Sequence, residues 1–230
     1  MNNLSLIYSP NGYTMKLKEE RRKIVAFCQQ MISSGLVKGT GGNMSLCNCE
    51  KTIIAISPSG TKYETMKPED VVLVDLQGNH IDGSLKPSSE IQFHLDLLNL
   101  RPDIHAVVHT HSPYVTTMAC LRMEIPAIHY LIGHVGYKVP VAFYATFGTK
   151  ALSENICAAI GSGDAVIMAN HGLVTVGKTL ENAYQKAEMV EYVAQLYLQA
   201  MAVSKPTLLS DEEMSQVMEK YKTYGKQNQT

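Results

Sequence analysis

Hydrophobic residues recur every three or four positions near both ends of the chain, which is the spacing of an amphipathic helix. At the N-terminal end this spacing predicts a helix over residues 18–36, which ends in a glycine-rich turn. Towards the other end, Thr179 is the predicted N-cap of the longest helix. A last helix begins at the capping box of Ser210 and Glu213 and ends at Gly225.

Short runs of apolar and β-branched residues fill the middle of the chain, separated by turns rich in Gly, Pro and Asn. The predicted strands are residues 52–56, 71–76, 106–110, 127–131, 139–144, 165–169 and 173–176. Ser88 or Ser89 caps one predicted helix among them. Ser112 and Pro113 begin a second, and residues 150–160 form a third. Without a strict βαβ repeat, this order predicts a mixed sheet covered by helices on both faces, in a single domain.

Composition indicates an ordinary globular protein. Of the 230 residues, 45% are apolar and 18% are charged, and the formal net charge is −1. This balance supports a sizeable core and excludes a disordered chain. Because no block of basic residues occurs, nucleic-acid binding is not expected. The chain also shows no apolar stretch of membrane-spanning length and no signal-peptide pattern at its start.

The cysteines number five, an odd count spread over the chain, which argues against a disulfide framework. They predict a cytoplasmic protein with reduced thiols. Cys47 and Cys49 form a C-x-C pair, but no second pair lies at a zinc-finger spacing. We therefore expect the cysteines to be packing or incidental residues.

Histidines give the first indication of chemistry. His109 and His111 lie two positions apart at the end of a predicted strand, so both imidazoles face the same side. His171 follows another buried strand and precedes a glycine that lets backbone approach closely. Glu90 lies at a predicted helix start. Three imidazoles and one carboxylate suit Zn²⁺ or a related divalent ion and leave a coordination position for a substrate oxygen.

Each of these signals also has an ordinary structural explanation. The two histidines of the H-x-H pair are equally compatible with a solvated strand face, and His171 with a structural imidazole bonded to a carbonyl. A carboxylate at Glu90 is favoured by the helix dipole alone. His94 is a rival ligand, because it shares a helical face with Glu90. Four further histidines lack such a setting and are interpreted as structural or surface residues: His80, His105, His129 and His134.

Three turns rich in glycine or hydroxyl groups are suited to an anion. Residues 39–43 offer consecutive backbone N–H groups, although they lack the ending of a P-loop. Residues 57–60 form a second turn with hydroxyl groups. Ser88 and Ser89 lie at a helix N-terminus, where N–H groups favour negative charge. Such turns are usually plain loops, but three of them in a chain with a predicted metal site indicate a phosphorylated small substrate.

Six segments carry motifs that occur together in one known family. They are GTGGNMS at 39–45, PSSE at 87–90, HTH at 109–111, IPAIHY at 125–130, YATFGT at 144–149 and HGL at 171–173. In this order they resemble the class II aldolase and adducin head family, from about residue 18 to 225. The resemblance is greatest to bacterial members that cleave L-fuculose 1-phosphate. It implies a three-layer α/β/α sandwich with a mixed, largely antiparallel sheet, in one domain (1–230) whose C-terminal tail (about 205–230) closes over the active site.

The resemblance also implies roles for individual residues. The implied ligands of one zinc ion per subunit are Glu90, His109, His111 and His171. The implied phosphate-binding residues are Gly42, Asn43, Ser59, Gly60, Ser88 and Ser89. Glu90 would also be the catalytic acid and base. Tyr130 would be contributed by a neighbouring subunit, while Phe147 and Tyr224 would shape the aldehyde side of the site.

The function implied by the resemblance is a zinc-dependent aldolase. It would cleave L-fuculose 1-phosphate, or a close ketose 1-phosphate, reversibly to dihydroxyacetone phosphate and L-lactaldehyde. The assembly implied is a homotetramer with active sites between subunits. The sequence departs from the family pattern in three respects. Gly41 stands where serine is frequent, and Ser57 and Ser59 replace threonines. Residues 133–135 replace a run of small residues near the aldehyde pocket, which leaves the aldehyde half of the substrate open.

Other functions stay open within the family and outside it. A 5-deoxyribulose 1-phosphate aldolase breaks the same bond, and pentulose-phosphate 4-epimerases and a methylthioribulose-phosphate dehydratase have similar metal sites. The epimerases place an aspartate where this chain has residues 128–130, which favours an aldolase. A non-catalytic adducin-like module would lack the metal ligands. A zinc hydrolase would leave the anion-binding turns and Tyr130 without a role.

Overall fold

Eight strands form one sheet in the computed structural model, which describes residues 15–224. The strands are β1 (Asn43–Cys47), β2 (Ile53–Ile56), β3 (Val72–Asp75), β4 (His80–Asp82), β5 (Ala106–Thr110), β6 (Val141–Ala142), β7 (Ala165–Met168) and β8 (Gly172–Gly177). Their order across the sheet is β4-β3-β2-β1-β5-β8-β7-β6. Neighbouring strands are antiparallel except β6 and β7, which are parallel.

Helices cover both faces of this sheet. Those within residues 15–224 are α1 (Lys18–Ser33), α2 (Ile91–Leu100), α3 (Pro113–Leu121), α4 (Lys150–Ile160), α5 (Leu180–Val203) and α6 (Asp211–Tyr221). One core lies between the sheet and α1, α3 and α5, and the other lies between the sheet and α2 and α4. On β5, Val108 points into the first core and Val107 into the second, as the strand period requires. The three-layer α/β/α sandwich and the mixed, largely antiparallel sheet are confirmed.

Two strands are absent from the sequence prediction. β1 has only five residues, follows the glycine-rich turn directly and lies in the centre of the sheet with all five residues buried, including the polar Asn43 and Ser45. β4 has three residues and lies at the sheet edge. Strands this short contain too few positions for hydrophobic periodicity to reveal them.

The predicted strand at residues 127–131 is wrong. A 3₁₀ helix, Tyr130–His134, occupies this region, and the His129 ring accepts a hydrogen bond from the Leu131 N–H at its start. Its apolar side chains pack with α5 and α6 instead of joining the sheet, with Ile132 fully buried in the first core. The next predicted strand, residues 139–144, is reduced to the two residues of β6.

Three predicted helix ends also differ. α1 ends at Ser33 instead of at residue 36. The N-cap of α2 is Glu90, whereas Ser88 and Ser89 precede the helix. Ser88 is held outside it because its N–H donates to the Ser57 carbonyl at 3.1 Å. The capping box of α6 is present as predicted, but α6 ends at Tyr221, and Gly225 lies outside the described residues. No helix within the described range is long and apolar enough to cross a bilayer.

Candidate active site

Three imidazoles meet where β5 ends beside the start of β8. His109 lies on β5, His111 follows that strand, and His171 lies in the turn between β7 and β8. A ring nitrogen of each lies within 4.8 Å of those of the other two. The Nε2 atoms of His109 and His111 are 2.9 Å apart. Chain segments separated by some 60 residues therefore bring three potential metal ligands to one point.

The close pairing of β5 and β8 creates this meeting point. Thr110 lies opposite Leu173 in the antiparallel register, so the two strand ends are adjacent. The turn before β8 is tight, and Asn170 adopts a left-handed conformation with φ of 56°. Gly172 packs so closely on β5 that a Cβ atom there would lie 2.3 Å from the Thr110 carbonyl oxygen. Glycine at this position is what lets His171 reach the other imidazoles.

Gly172→Ala is therefore expected to destabilise the fold by about 3 kcal/mol, because the added methyl group overlaps backbone that cannot move without breaking the β5–β8 pairing. Denaturant unfolding of the variant and the wild type measures the difference. Gly35→Ala is the control: its Cβ would meet nothing within 4 Å, and its φ of 74° carries the strain of a left-handed residue. That strain costs about 1–2 kcal/mol. Equal losses in the two variants would contradict the packing argument.

The Glu90 carboxylate completes the cluster from the start of α2. Its Oε2 lies 3.3 Å from Nε2 of His109, and its Oε1 lies 3.5 Å from Nε2 of His171. The side-chain amide of Asn43 donates to Oε2 at 2.9 Å. Oε1 is buried and has no hydrogen-bond partner. Buried polar atoms are nearly always satisfied, so an unpartnered carboxylate oxygen facing imidazole nitrogens fits the ligand set of a cation.

Protonation states in the cluster are those of metal ligands. Burial, together with the neighbouring His109, lowers the pKa of His111 to about 3 and that of His171 to about 4. Nδ1 of His109 donates to the Leu173 carbonyl at 2.9 Å, so its Nε2 presents a lone pair to the cluster. Burial acts to raise the pKa of Glu90, but its interactions with His109 and His171 and the hydrogen bond from Asn43 outweigh burial and hold the pKa below its usual range. Neutral imidazoles and an ionised carboxylate are the donors that divalent zinc and related ions bind.

A cavity of about 210 Å³ opens above the cluster, and the three turns predicted to bind an anion surround it. All six residues predicted to bind phosphate line this cavity: Gly42, Asn43, Ser59, Gly60, Ser88 and Ser89. Glu90, His111, His171 and Phe147 line it as well.

Backbone contacts hold the turns together. The Ser59 N–H donates to the Lys86 carbonyl at 3.0 Å, and the buried Tyr63 hydroxyl donates to the Gly42 carbonyl at 2.6 Å. The sequence patterns gave no signal for Tyr63, since a tyrosine in a polar loop has many roles. The cavity therefore has a rim of glycine-rich and hydroxyl-bearing turns over a floor of potential metal ligands.

Two predicted site residues lie elsewhere in the same chain. Tyr130 and Tyr224 line a second cavity of about 530 Å³, together with Tyr221 from α6 and its neighbours. Tyr130 is 49% exposed and Tyr224 is 80% exposed. Among the described residues, neither tyrosine borders the histidine cavity, and the described part of the C-terminal tail packs beside Tyr130.

The rival ligands do not join the cluster. His94 is fully buried and both of its ring nitrogens have hydrogen-bond partners, Ser45 Oγ and Asn43 Oδ1. The cysteines are all free thiols. Cys47 and Cys49 belong to no group of three metal-ligating side chains within the described range. Burial raises the pKa of Cys47 to about 11, which keeps this thiol protonated.

Comparison with known proteins agrees with the fold. The chain belongs to the class II aldolase and adducin N-terminal domain family, whose model matches residues 22–198. It is similar to the 5-deoxy-D-ribulose 1-phosphate aldolase of Bacillus thuringiensis serovar kurstaki, with 47% identity over 213 residues that cover 93% of this chain and 100% of that protein.

The chain is also similar to L-fuculose phosphate aldolases. That of Escherichia coli is 41% identical over 213 residues, which cover 92% of this chain and 98% of that protein. A solved L-fuculose 1-phosphate aldolase structure has a TM-score of 0.88 at 40% identity, covering 90% of this chain and 98% of that one. The protein is accordingly a class II, metal-dependent aldolase and thus a lyase.

Proposed function

We propose that this aldolase cleaves the C3–C4 bond of a ketose 1-phosphate that ends in a methyl group, with dihydroxyacetone phosphate as one product. The observation that supports this most is a metal-ligand cluster on the floor of a cavity whose rim is built for phosphate. The sequence motifs favour L-fuculose 1-phosphate, which yields L-lactaldehyde. Sequence identity is higher to the 5-deoxy-D-ribulose 1-phosphate aldolase (47%) than to the L-fuculose phosphate aldolase (41%). We therefore take 5-deoxyribulose 1-phosphate, which yields acetaldehyde, as the first candidate substrate.

The phosphate would be bound by the three turns. Ser59, Ser88 and Ser89 offer hydroxyl groups, and Gly42 and Gly60 allow backbone N–H groups to approach an anion. No Lys or Arg occurs among the described residues that line the cavity. The phosphate would therefore be bound by oriented N–H and O–H dipoles, including the N–H groups at the N-terminus of α2 beside Ser89.

The ligand set fits zinc, one ion per subunit. Glu90, His109, His111 and His171 would hold it. When bound, such an ion acts as a Lewis acid that polarises the carbonyl of the substrate. The Nδ1 hydrogen bond of His109 to Leu173 keeps that ring oriented towards the site.

Glu90 would transfer the proton at C3. In cleavage, the C4 hydroxyl loses its proton, the C3–C4 bond breaks, and its electron pair moves towards the C2 carbonyl. Glu90 then delivers a proton to C3, which gives dihydroxyacetone phosphate, and in the reverse direction it removes that proton. Oε2 is occupied by Asn43, so Oε1 is the oxygen available for this step.

Tyr130 and Tyr224 would act in the active site of a neighbouring subunit of a homotetramer. Both are exposed, and both lie away from the histidine cavity of their own chain. Tyr130 would assist loss of the C4 hydroxyl proton, and Tyr224, with the tail, would close over the aldehyde together with Phe147. A cytoplasmic location stays a prediction from the cysteine content.

Mixed oligomers test the subunit arrangement. Tyr130→Phe and Glu90→Gln should each lower kcat by about 10²-fold or more, since each removes a proton-transfer group. When the two variants are unfolded and reassembled at equal amounts, half of the sites contain Glu90 and half of those receive Tyr130. The mixture should then recover about a quarter of wild-type activity. If the mixture is no more active than the two variants measured separately, Tyr130 acts in the active site of its own subunit or has no part in catalysis.

A substrate panel tests the proposed function. Zinc-loaded protein is incubated with 5-deoxyribulose 1-phosphate, L-fuculose 1-phosphate and a pentulose 5-phosphate, and dihydroxyacetone phosphate is measured. Release from the first two, with the larger kcat/KM for the 5-deoxy sugar, is the expected result. Epimer formation from the pentulose 5-phosphate, loss of water, or release of inorganic phosphate without dihydroxyacetone phosphate would replace the proposal with an epimerase, a dehydratase or a hydrolase.

A further inference from the structure

A buried chain of polar side chains lies behind Glu90. Ser45 Oγ contacts His94 Nδ1 at 2.8 Å, His94 Nε2 contacts Asn43 Oδ1 at 2.6 Å, and Asn43 Nδ2 donates to Glu90 Oε2 at 2.9 Å. Ser45 and His94 are fully buried, and Asn43 and Glu90 are nearly so. Packing between β1 and α2 does not require polar groups, so four buried polar side chains linked by hydrogen bonds need another explanation.

The chemistry of the four groups fixes the direction of every hydrogen bond. The carboxylate of Glu90 only accepts, so the Asn43 amide must present its NH₂ group there and its oxygen towards His94. That oxygen also only accepts, so His94 carries its proton on Nε2. Nδ1 then accepts from the Ser45 hydroxyl. Burial lowers the pKa of His94 to about 3, which is consistent with a neutral ring of one tautomer.

These hydrogen bonds connect two secondary-structure elements, β1 and α2. Ser45 and Asn43 lie on β1, where Asn43 is paired with His109 of β5. His94 lies on α2, one turn after Glu90. The hydrogen bonds thus tie the start of α2 to the strand beside the metal ligands. They occupy Oε2 of Glu90 and leave Oε1 unpartnered.

We propose that His94 is a positioning residue for the proton-transfer step. Its Nε2–H holds the Asn43 amide in one orientation, and that amide holds the Glu90 carboxylate so that Oε1 faces the substrate. This inference rests on the proposed role of Glu90 as the acid and base. Partners of this kind typically change activity or metal affinity by about 10–100-fold when they are lost.

A purely structural role makes a different prediction. His94 stacks on Phe93, with ring centroids 4.5 Å apart, and fills space between α2 and the sheet. If packing were its function, substitutions that remove similar volume would have similar effects, whichever hydrogen bond they kept.

The decisive experiment compares His94→Gln with His94→Met, because the two new side chains have the same length and similar volume. The amide of glutamine reaches the position of Nε2 and can donate to Asn43, whereas methionine reaches the same position and has no group that donates. Metal-loaded His94→Gln should keep kcat within about threefold of wild type, and His94→Met should lose about 10–100-fold in kcat with an unchanged KM. The exchange of the C3 proton of dihydroxyacetone phosphate with D₂O, without any aldehyde, should fall by the same factor. Metal content should stay equal in both variants.

Ser153→Ala is the matched control, because it removes another buried serine hydrogen bond to α2, from Ser153 Oγ to Asp96 at 2.6 Å. It should leave both rates unchanged. Equal losses in His94→Gln and His94→Met, or a loss confined to KM or metal content, would overturn the proposal. If wild-type protein shows neither cleavage nor proton exchange, the proposed function fails instead. Nitrogen NMR of the His94 ring then still decides whether His94 orients the Asn43 amide. A proton on Nε2 supports this orientation, and a proton on Nδ1 refutes it.

Discussion

Glu90→Gln is expected to lower the kcat for release of dihydroxyacetone phosphate by about 10³-fold or more, because glutamine cannot carry the proton to C3. The amide oxygen still accepts from Asn43, and the helix start keeps a polar N-cap residue, so the fold and the phosphate-binding turns should persist. Steady-state kinetics and the C3 proton exchange of dihydroxyacetone phosphate measure the loss.

Glu154→Gln provides the comparison for this variant. Glu154 lies on the exposed face of α4 and pairs with Lys150 at 2.9 Å, so its neutralisation should leave the rate unchanged. Metal content of the Glu90 variant must be measured together with its rate, since Glu90 is also a predicted ligand. Substantial turnover by fully metallated Glu90→Gln would remove Glu90 from the acid and base role.

Exhaustive chelation is the second change with a large expected effect. Removing the ion should abolish turnover, since a Lewis acid at the carbonyl stabilises the transition state by several kcal/mol, about a thousandfold or more in rate. Adding zinc should restore it. Removal should also lower the melting temperature, because an ion bound to the folded state alone stabilises that state.

Circular dichroism before and after chelation serves as the control for unfolding. A chelated protein with native secondary structure and no activity, which recovers with zinc, is the expected result. Full activity in metal-free protein would end the metal-dependent mechanism. Recovery with another divalent ion but not with zinc would correct the identity of the metal.

Much of the candidate site could be predicted from local sequence. His109 and His111 face one side because they lie two apart at the end of a strand that is correctly predicted. His171 follows a buried strand directly, and glycine at 172 marks the close approach to β5. Short-range geometry determines these features, so periodicity and turn chemistry are sufficient to find them.

The remaining features depend on tertiary contacts that local patterns do not encode. Asn43 was predicted to bind phosphate, but its position on the hidden strand β1 also places its amide between Glu90 and His94. The apolar run at 127–131 resembles a strand, yet contacts with α5 and α6 fix the 3₁₀ helix Tyr130–His134 in that region. Such residues acquire their roles only when distant elements pack, as do the tyrosines that lie outside the histidine cavity.

The most direct measurement of the central claim is anomalous X-ray scattering at the zinc edge from crystals of the zinc-loaded protein. One strong peak per subunit should lie about 2.0–2.2 Å from imidazole nitrogens of His109, His111 and His171, with a Glu90 oxygen at a similar distance in the absence of substrate. A peak at another place, or no peak in that cluster while the protein is active, would contradict the account.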